Sequence, residues 1–181
     1  MNNIQIYHPN KSNTGFACSF SQSDRDNTIF ATLLKQSGWN PEQGIGTFKE
    51  SRNDPTKNVN IKLELVEAAA ILDCVDRGRA FTTMHDGDKQ VKSIQFTPWM
   101  NKVPDGQKPT QRGFSFSVTV TDKDDSVNKR SFYIGLTFAE ARLIREYLIF
   151  VLQKSFSKDA KVQEPRIQET RVQEDNSQDN F

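Results

Sequence analysis

The 181-residue chain lacks the features that mark a metal-stapled, disulfide-stapled or membrane-spanning protein. Its two cysteines, Cys18 and Cys74, show no Cys-x-x-Cys spacing, and it has only two histidines. This argues against a disulfide framework and a Cys/His zinc site, and points to a reducing compartment. No stretch reaches the roughly 18 consecutive apolar residues of a membrane helix. The opening residues, Met1 to Gly15, lack the basic-then-apolar pattern of a secretory signal. Net charge is only +1, which argues against a strongly basic, histone-like binder. With 35% apolar residues the chain is lean, so part of it is expected to stay unpacked. The length suits one domain of roughly 150 residues plus a tail, or two very small domains.

The tail separates at residue 157. Lys161-Val162-Gln163-Glu164-Pro165, Arg166-Ile167-Gln168-Glu169-Thr170 and Arg171-Val172-Gln173-Glu174-Asp175 form a pentapeptide repeat. Five residues match neither helical nor strand periodicity, and Pro165 would interrupt a helix. Residues 157–181 hold no aromatic before Phe181, so they read as a disordered tail. Charge divides at the same point. Residues 1–156 carry 20 Lys+Arg and 17 Asp+Glu, a net of +3; the tail carries 4 and 6, a net of −2.

The rest of the chain repeats itself. Ile61-Lys62-Leu63-Glu64-Leu65-Val66-Glu67-Ala68 matches Ile134-Gly135-Leu136-Thr137-Phe138-Ala139-Glu140-Ala141 at an offset of 73 residues. Ile71 then falls on Ile144, and Val75 on Leu148. Each segment reads as a strand running directly into a helix, and Thr137 and Glu140 have capping-box spacing. The second helix carries Phe138, Ala141, Ile144, Leu148, Val151 and Leu152 on one stripe, flanked by Leu143, Tyr147 and Phe150. A stripe that wide suggests cover on two sides. Duplication explains the register and identities better than chance.

Strand patterns precede each helix. The first set is Gly15–Ser21, Thr28–Gln36, Thr47–Glu50 and Asn58–Leu65; the second is Ala80–His85, Gln90–Pro98, Arg112–Thr121 and Lys129–Leu136. Segments 37–46 and 99–113 read as long loops, each beginning near a tryptophan. The expected fold is α+β: a duplicated ββββα unit, two antiparallel sheets packed with two helices. Residues 1–13 read as a flexible arm, 14–156 as the domain (repeats about 14–78 and 79–156), and 157–181 as the tail.

This layout resembles the Whirly family and its relatives, among them guide-RNA-binding, PUR-repeat and positive-cofactor-four-like proteins. The likeness is carried by Gln90-Val91-Lys92-Ser93-Ile94-Gln95-Phe96-Thr97-Pro98, by Gly113-Phe114-Ser115-Phe116-Ser117-Val118, and by Phe132–Leu136 leading into Thr137, Ala139 and Glu140. His85-Asp86 resembles a His-Asp pair that precedes this region in the family. In the first half, Thr14-Gly15-Phe16-Ala17 keeps the Gly and Ala of the plant Whirly signature but neither of its lysines. The resemblance implies single-stranded nucleic-acid binding by sheet surfaces and a tetramer packed through helices. The end of the chain, with Glu174, Asp175, Asp179 and Phe181, resembles the acidic, Phe-terminated tails by which bacterial and phage single-strand-binding proteins recruit partners.

Single-strand binding needs cations that track phosphates and aromatic planes on which bases stack. Candidates are Phe30, Lys35 and Trp39, then Phe48 and Lys49, then Lys62, with Lys92, Gln95 and Trp99 in the second half and Arg112, Arg130 and Tyr133 beyond them. Taken singly, each lysine also fits a solvated surface charge, and Phe30 and Phe48 fit a core equally well. Enzymatic signals are thin. Asp122, Asp124 and Asp125 fit a hairpin turn better than a metal cluster. His8 and His85 lack a nucleophile partner, and Gly44-Ile45-Gly46 lacks the rest of a phosphate loop. The sequence reads as a non-enzymatic, cofactor-free single-stranded DNA-binding protein of a phage or bacterial cytoplasm. It would act as a homotetramer, without membrane contact, in replication, recombination or repair. An RNA-binding or annealing factor and a structural interaction protein without nucleic acid remain the alternatives.

Overall fold

Alternating apolar residues lay down two meandering sheets. The computed structural model describes residues 3–125 and 127–161. In the first unit, β1 (Asn3–His8), β2 (Phe16–Gln22), β3 (Ile29–Lys35) and β6 (Asn58–Leu63) form an antiparallel sheet in the order β1-β2-β3-β6. In the second, β7 (Phe81–Asp86), β8 (Gln90–Met100), β9 (Gln111–Asp122) and β10 (Lys129–Leu136) repeat that meander in the order β10-β9-β8-β7. Helices α1 (Leu65–Arg77) and α2 (Phe138–Lys161) follow their respective sheets. The expected α+β architecture with a duplicated four-strand-plus-helix unit is the observed one. The tail residues Glu174, Asp175, Asp179 and Phe181 lie outside the described residues.

Three sequence expectations need correction. The segment read as a flexible arm contains β1, because Ile4 and Ile6 alternate with polar neighbours and pack on the core. The supposed third strand at Thr47–Glu50 is not part of the sheet; β4 (Gly38–Asn40) and β5 (Ile45–Thr47) form a separate two-stranded hairpin instead. The long loop expected at 99–113 is confined to residues 101–110, since β8 runs on to Met100 and β9 begins at Gln111, with Asn101 N–H donating to Thr110 C=O at 2.8 Å.

Both sheets bury one face between them. Phe20 of the first stacks on Phe116 of the second at 5.6 Å, and Phe96 touches both Phe114 and Phe116. Helix α2 buries Ala141, Ile144, Tyr147, Leu148, Val151 and Leu152, so the expected stripe is core-facing except for Phe138. Phe138, Leu143 and Phe150 stay exposed. No helix among the described residues is long and apolar enough to cross a membrane.

The helix starts show how the halves are joined. Both begin with a capping box: Glu64 and Glu67 at α1, Thr137 and Glu140 at α2, the pairs standing at the repeat offset. Each inner glutamate also holds a histidine from the other unit. His85 of β7 lies 2.8 Å from Glu67, and His8 of β1 lies 2.7 Å from Glu140. The contacts are therefore exchanged between repeats. Packing follows suit, with α1 against β7 and β8 and α2 against β1 as well as β9 and β10. Asp76 on α1 further accepts two bonds from Arg145 on α2, at 2.6 and 3.1 Å.

Burial opposes ionisation of Glu67, but the Glu64 N–H and His85 outweigh it and hold the carboxyl below its ordinary value. Glu140 behaves alike: burial is outweighed by His8 and by the N–H and hydroxyl of Thr137. A carboxyl with a depressed folded-state pKa contributes stability above its unfolded value, and that stability is lost as the pH falls. The melting temperature should therefore decline from about pH 4.3 downward. Replacing both glutamates by glutamine should flatten that decline. At neutral pH it should cost less than about 1 kcal/mol per site, because glutamine can still cap. Calorimetry across this range checks it; an unchanged acid decline in the double variant would refute the assignment.

Candidate nucleic-acid interface

Alternation that turns Phe114, Phe116, Val118 and Val120 inward turns small polar side chains outward. Across the second sheet the outer rows read Tyr133-Ser117-Gln95-Thr82 and Ser131-Thr119-Ser93-Met84, with Gly135, Ser115 and Thr97 forming the next. This face carries hydroxyls and amides, with Tyr133 58% exposed on the edge strand β10.

At the far end of that face, Trp99 opposes Gly113 and Met100 opposes Gln111, so Arg112 is an extra residue in β9. Strict alternation would aim Arg112 inward with Phe114; the bulge re-aims it. Its guanidinium lies over the Trp99 ring at 3.9 Å. The indole in turn crosses Gly135 of β10, where a Cβ would sit 2.4 Å from the ring. Gly135 is the repeat counterpart of Lys62, so the second repeat gives up a side chain to seat the tryptophan. Trp99 remains 38% exposed. A cation over an exposed ring contributes about 0.5–1 kcal/mol, enough to set the orientation of both groups.

Two residues along β10, Tyr133 meets Phe16 of β2 with ring centroids 4.7 Å apart. A groove of about 500 Å³ opens here, lined by Phe16, Lys35, Lys57, Ser131 and Tyr133 among others. The Lys35 ammonium sits 4.8 Å over the buried Phe132 ring, and its backbone N–H donates to the Lys57 carbonyl at 2.8 Å, which brings the two lysines side by side. Rings and cations thus run in a line along β10, from Arg112 and Trp99 to Tyr133, Phe16, Lys35 and Lys57. Phe16 and Lys57 escaped the sequence reading. Phe16 shares the apolar period of Cys18 and Phe20 and reads as core, while Lys57 sits in a loop whose only signal is its closeness to β6.

The remaining candidates divide. Phe30 and Lys62 are cross-strand partners on the outer face of the first sheet, and Gln95 lies mid-row on the second. Trp39 is half-buried on β4, and Lys49 is exposed beyond β5. Phe48 is only 7% exposed, clustered with Ala17 and Leu34 and tilted against Tyr7, so its core alternative is the one realised.

Lys92 and Arg130 need a different correction. Each has the parity of the core residues Ile94 or Phe132, so alternation puts both on the inner side. Lys92 Nζ donates to the Asn60 carbonyl at 2.8 Å, and desolvation there lowers its pKa. Arg130 pairs with Asp122 at 2.7 Å and donates to the Pro55 carbonyl at 3.1 Å. These cations tie the sheet ends together through the contacts they make.

Solved structures share this fold. The plant transcriptional regulator PBF-2 superposes with a TM-score of 0.59 at 16% identity, over 89% of this chain and 85% of that one. WHY1 from Arabidopsis thaliana gives 0.57 at 17% identity, over 89% of this chain and 91% of its own. The fold is Whirly-like. No family model and no curated protein sequence matches the chain. Within the Whirly-like fold, the bulge at Arg112 and the bare Gly135 are what give this chain its tryptophan platform.

Replacing Gly135 with valine should lift the indole from its seat. In a Trp39→Phe background, Trp99 emission should shift to the red while far-ultraviolet circular dichroism stays unchanged. An unshifted spectrum would show that Gly135 does not seat the ring.

Proposed function

We propose that the chain binds single-stranded DNA along β10, with little dependence on sequence. The observation that carries this reading is the line from exposed Arg112, Trp99 and Tyr133 to half-buried Phe16, Lys35 and Lys57 at the groove. Exposed rings stack any base, and flanking cations neutralise phosphates. Hydroxyl and amide side chains on the adjoining rows suit polar contacts to bases and sugars. The +3 charge of residues 1–156 favours a polyanion, and the −2 tail masks it in the whole-chain sum. Phe30, Lys62 and Gln95 extend the reading to both sheet faces, and Trp39 and Lys49 to the loop beside β4.

The reading includes assembly and partners. Exposed Leu143 and Phe150 share one face of α2 suited to a second copy, and we read the assembly as a homotetramer. Glu174, Asp175, Asp179 and Phe181 combine acidity with a terminal apolar anchor, which suits recruitment of replication, recombination or repair proteins. The protein acts by binding rather than catalysis, in a bacterial or phage-infected cytoplasm.

Titration with oligo-thymidylate at several salt concentrations tests the function. Log K should fall against log salt with a slope near −0.7 per phosphate neutralised. Trp99→Ala should weaken binding by about 1–3 kcal/mol at every salt concentration. No binding at low salt would sink the proposal. Light scattering should give about four times 20.7 kDa, and a monomer would remove the helix-packed tetramer.

A further inference from the structure

The first sheet departs from the second in having a loop folded over its outer face. Residues 41–57 seat Phe48 on Ala17 and Leu34 and set the 3-10 turn Glu50–Asn53 against β3 and β6. The fold-back leaves a cleft of about 310 Å³ whose walls include Tyr7, Thr32, Arg52, Asn58 and Asn60. Ala17 and Leu34 give it an apolar floor, and the Tyr7 ring stands at one side, 45% exposed.

The polar atoms of the cleft are already partly committed, and the commitments define what is left. Asn58 and Asn60 stand on one face of β6, about 7 Å apart along the strand. The Asn58 amide nitrogen donates to the Arg52 carbonyl at 2.6 Å, which leaves its side-chain oxygen as an acceptor. The Asn60 side-chain oxygen accepts the Thr32 hydroxyl at 3.4 Å, which leaves its amide nitrogen as a donor. The Arg52 guanidinium has no carboxylate partner among the described residues, so its donors are open as well. Asn60, Asn58 and Arg52 therefore offer donor, acceptor and donor along one wall.

We infer that this cleft binds a thymine or uracil base of a single strand, read through its imide edge by Asn60, Asn58 and Arg52. That edge presents carbonyl, N–H and carbonyl, the complement of the wall. Cytosine and adenine have no imide N–H to give Asn58. Guanine has a comparable N–H but sets an amino group beside it, where a donor of the wall would face another donor. A mismatched base leaves a desolvated polar group unpaired, and that loss supplies the discrimination. The apolar floor takes the ring, and Tyr7 offers a stacking plane to the adjacent base. The inference rests on the single-strand reading above: β10 binds without regard to sequence, and the first sheet adds a preference.

The test uses the full chain and two strands of equal length, oligo-thymidylate and the same strand with N3-methylthymine throughout. Methylation removes the imide N–H while keeping ring, stacking and phosphates. The unmodified strand should bind about tenfold more tightly. Asn58→Ala should erase most of that ratio, whereas Trp99→Ala should weaken both strands and preserve it. Equal affinity of the unaltered protein for both strands overturns the cleft while single-strand binding stands. A ratio that survives Asn58→Ala overturns the assigned wall, and failure to bind either strand at low salt overturns both readings.

Discussion

Exchange between the two repeats is the constraint on which the rest of the fold depends. Each repeat encodes a strand meander and a helix, yet the glutamate that caps each helix is held by the other repeat's histidine. A four-stranded sheet with one apolar face cannot stand in water by itself, and one helix covers only part of that face. Pairing the sheets through Phe20, Phe96 and Phe116 buries the apolar faces, and the crossed His–Glu contacts fix how the pair is set. The outer faces are polar as a consequence, because period-two alternation leaves them whatever the core does not use.

Two local departures from that regularity make the candidate binding features. A bulge turns Arg112 onto the face of Trp99, and Gly135 gives up the side chain that its counterpart Lys62 keeps. In the first repeat the departure is a loop that folds back, buries Phe48 and roofs part of the outer face. The repeats share a core and differ in what they show to solvent. That division is expected after duplication, since core positions answer to packing while outer positions and loops are open to change.

Much of the fold was legible in the sequence. Strands β7 to β10 and both helices follow directly from period-two and helical spacing, and the capping box at Thr137 and Glu140 is present as read. β1 was missed because its two core residues, Ile4 and Ile6, sit among asparagine and glutamine and give a weak signal. The candidate site was less legible, for a geometric reason. Lys92 and Arg130 looked like surface cations by residue type, but their parity aims them inward, where they clamp backbone carbonyls. Arg112 has inward parity too, and only the bulge turns it outward. Phe16 shares the period of Cys18 and Phe20 and packs against the core, yet its half-buried ring also meets Tyr133 where β10 crosses β2. Type and period locate a side chain on its own strand; which strand crosses it depends on the packing of the sheets.

The exchanged His–Glu contacts also bear on how such a chain can arise and be divided. Cutting the chain after Gly78 would separate two similar sequences, but each piece would lose the histidine or the glutamate that the other supplies. Two copies of one ancestral repeat could satisfy each other in the same crossed manner, as a symmetric dimer. Fusion would then have turned an association that depends on concentration into one within a single chain. The repeat is what was copied, and the pair is what folds.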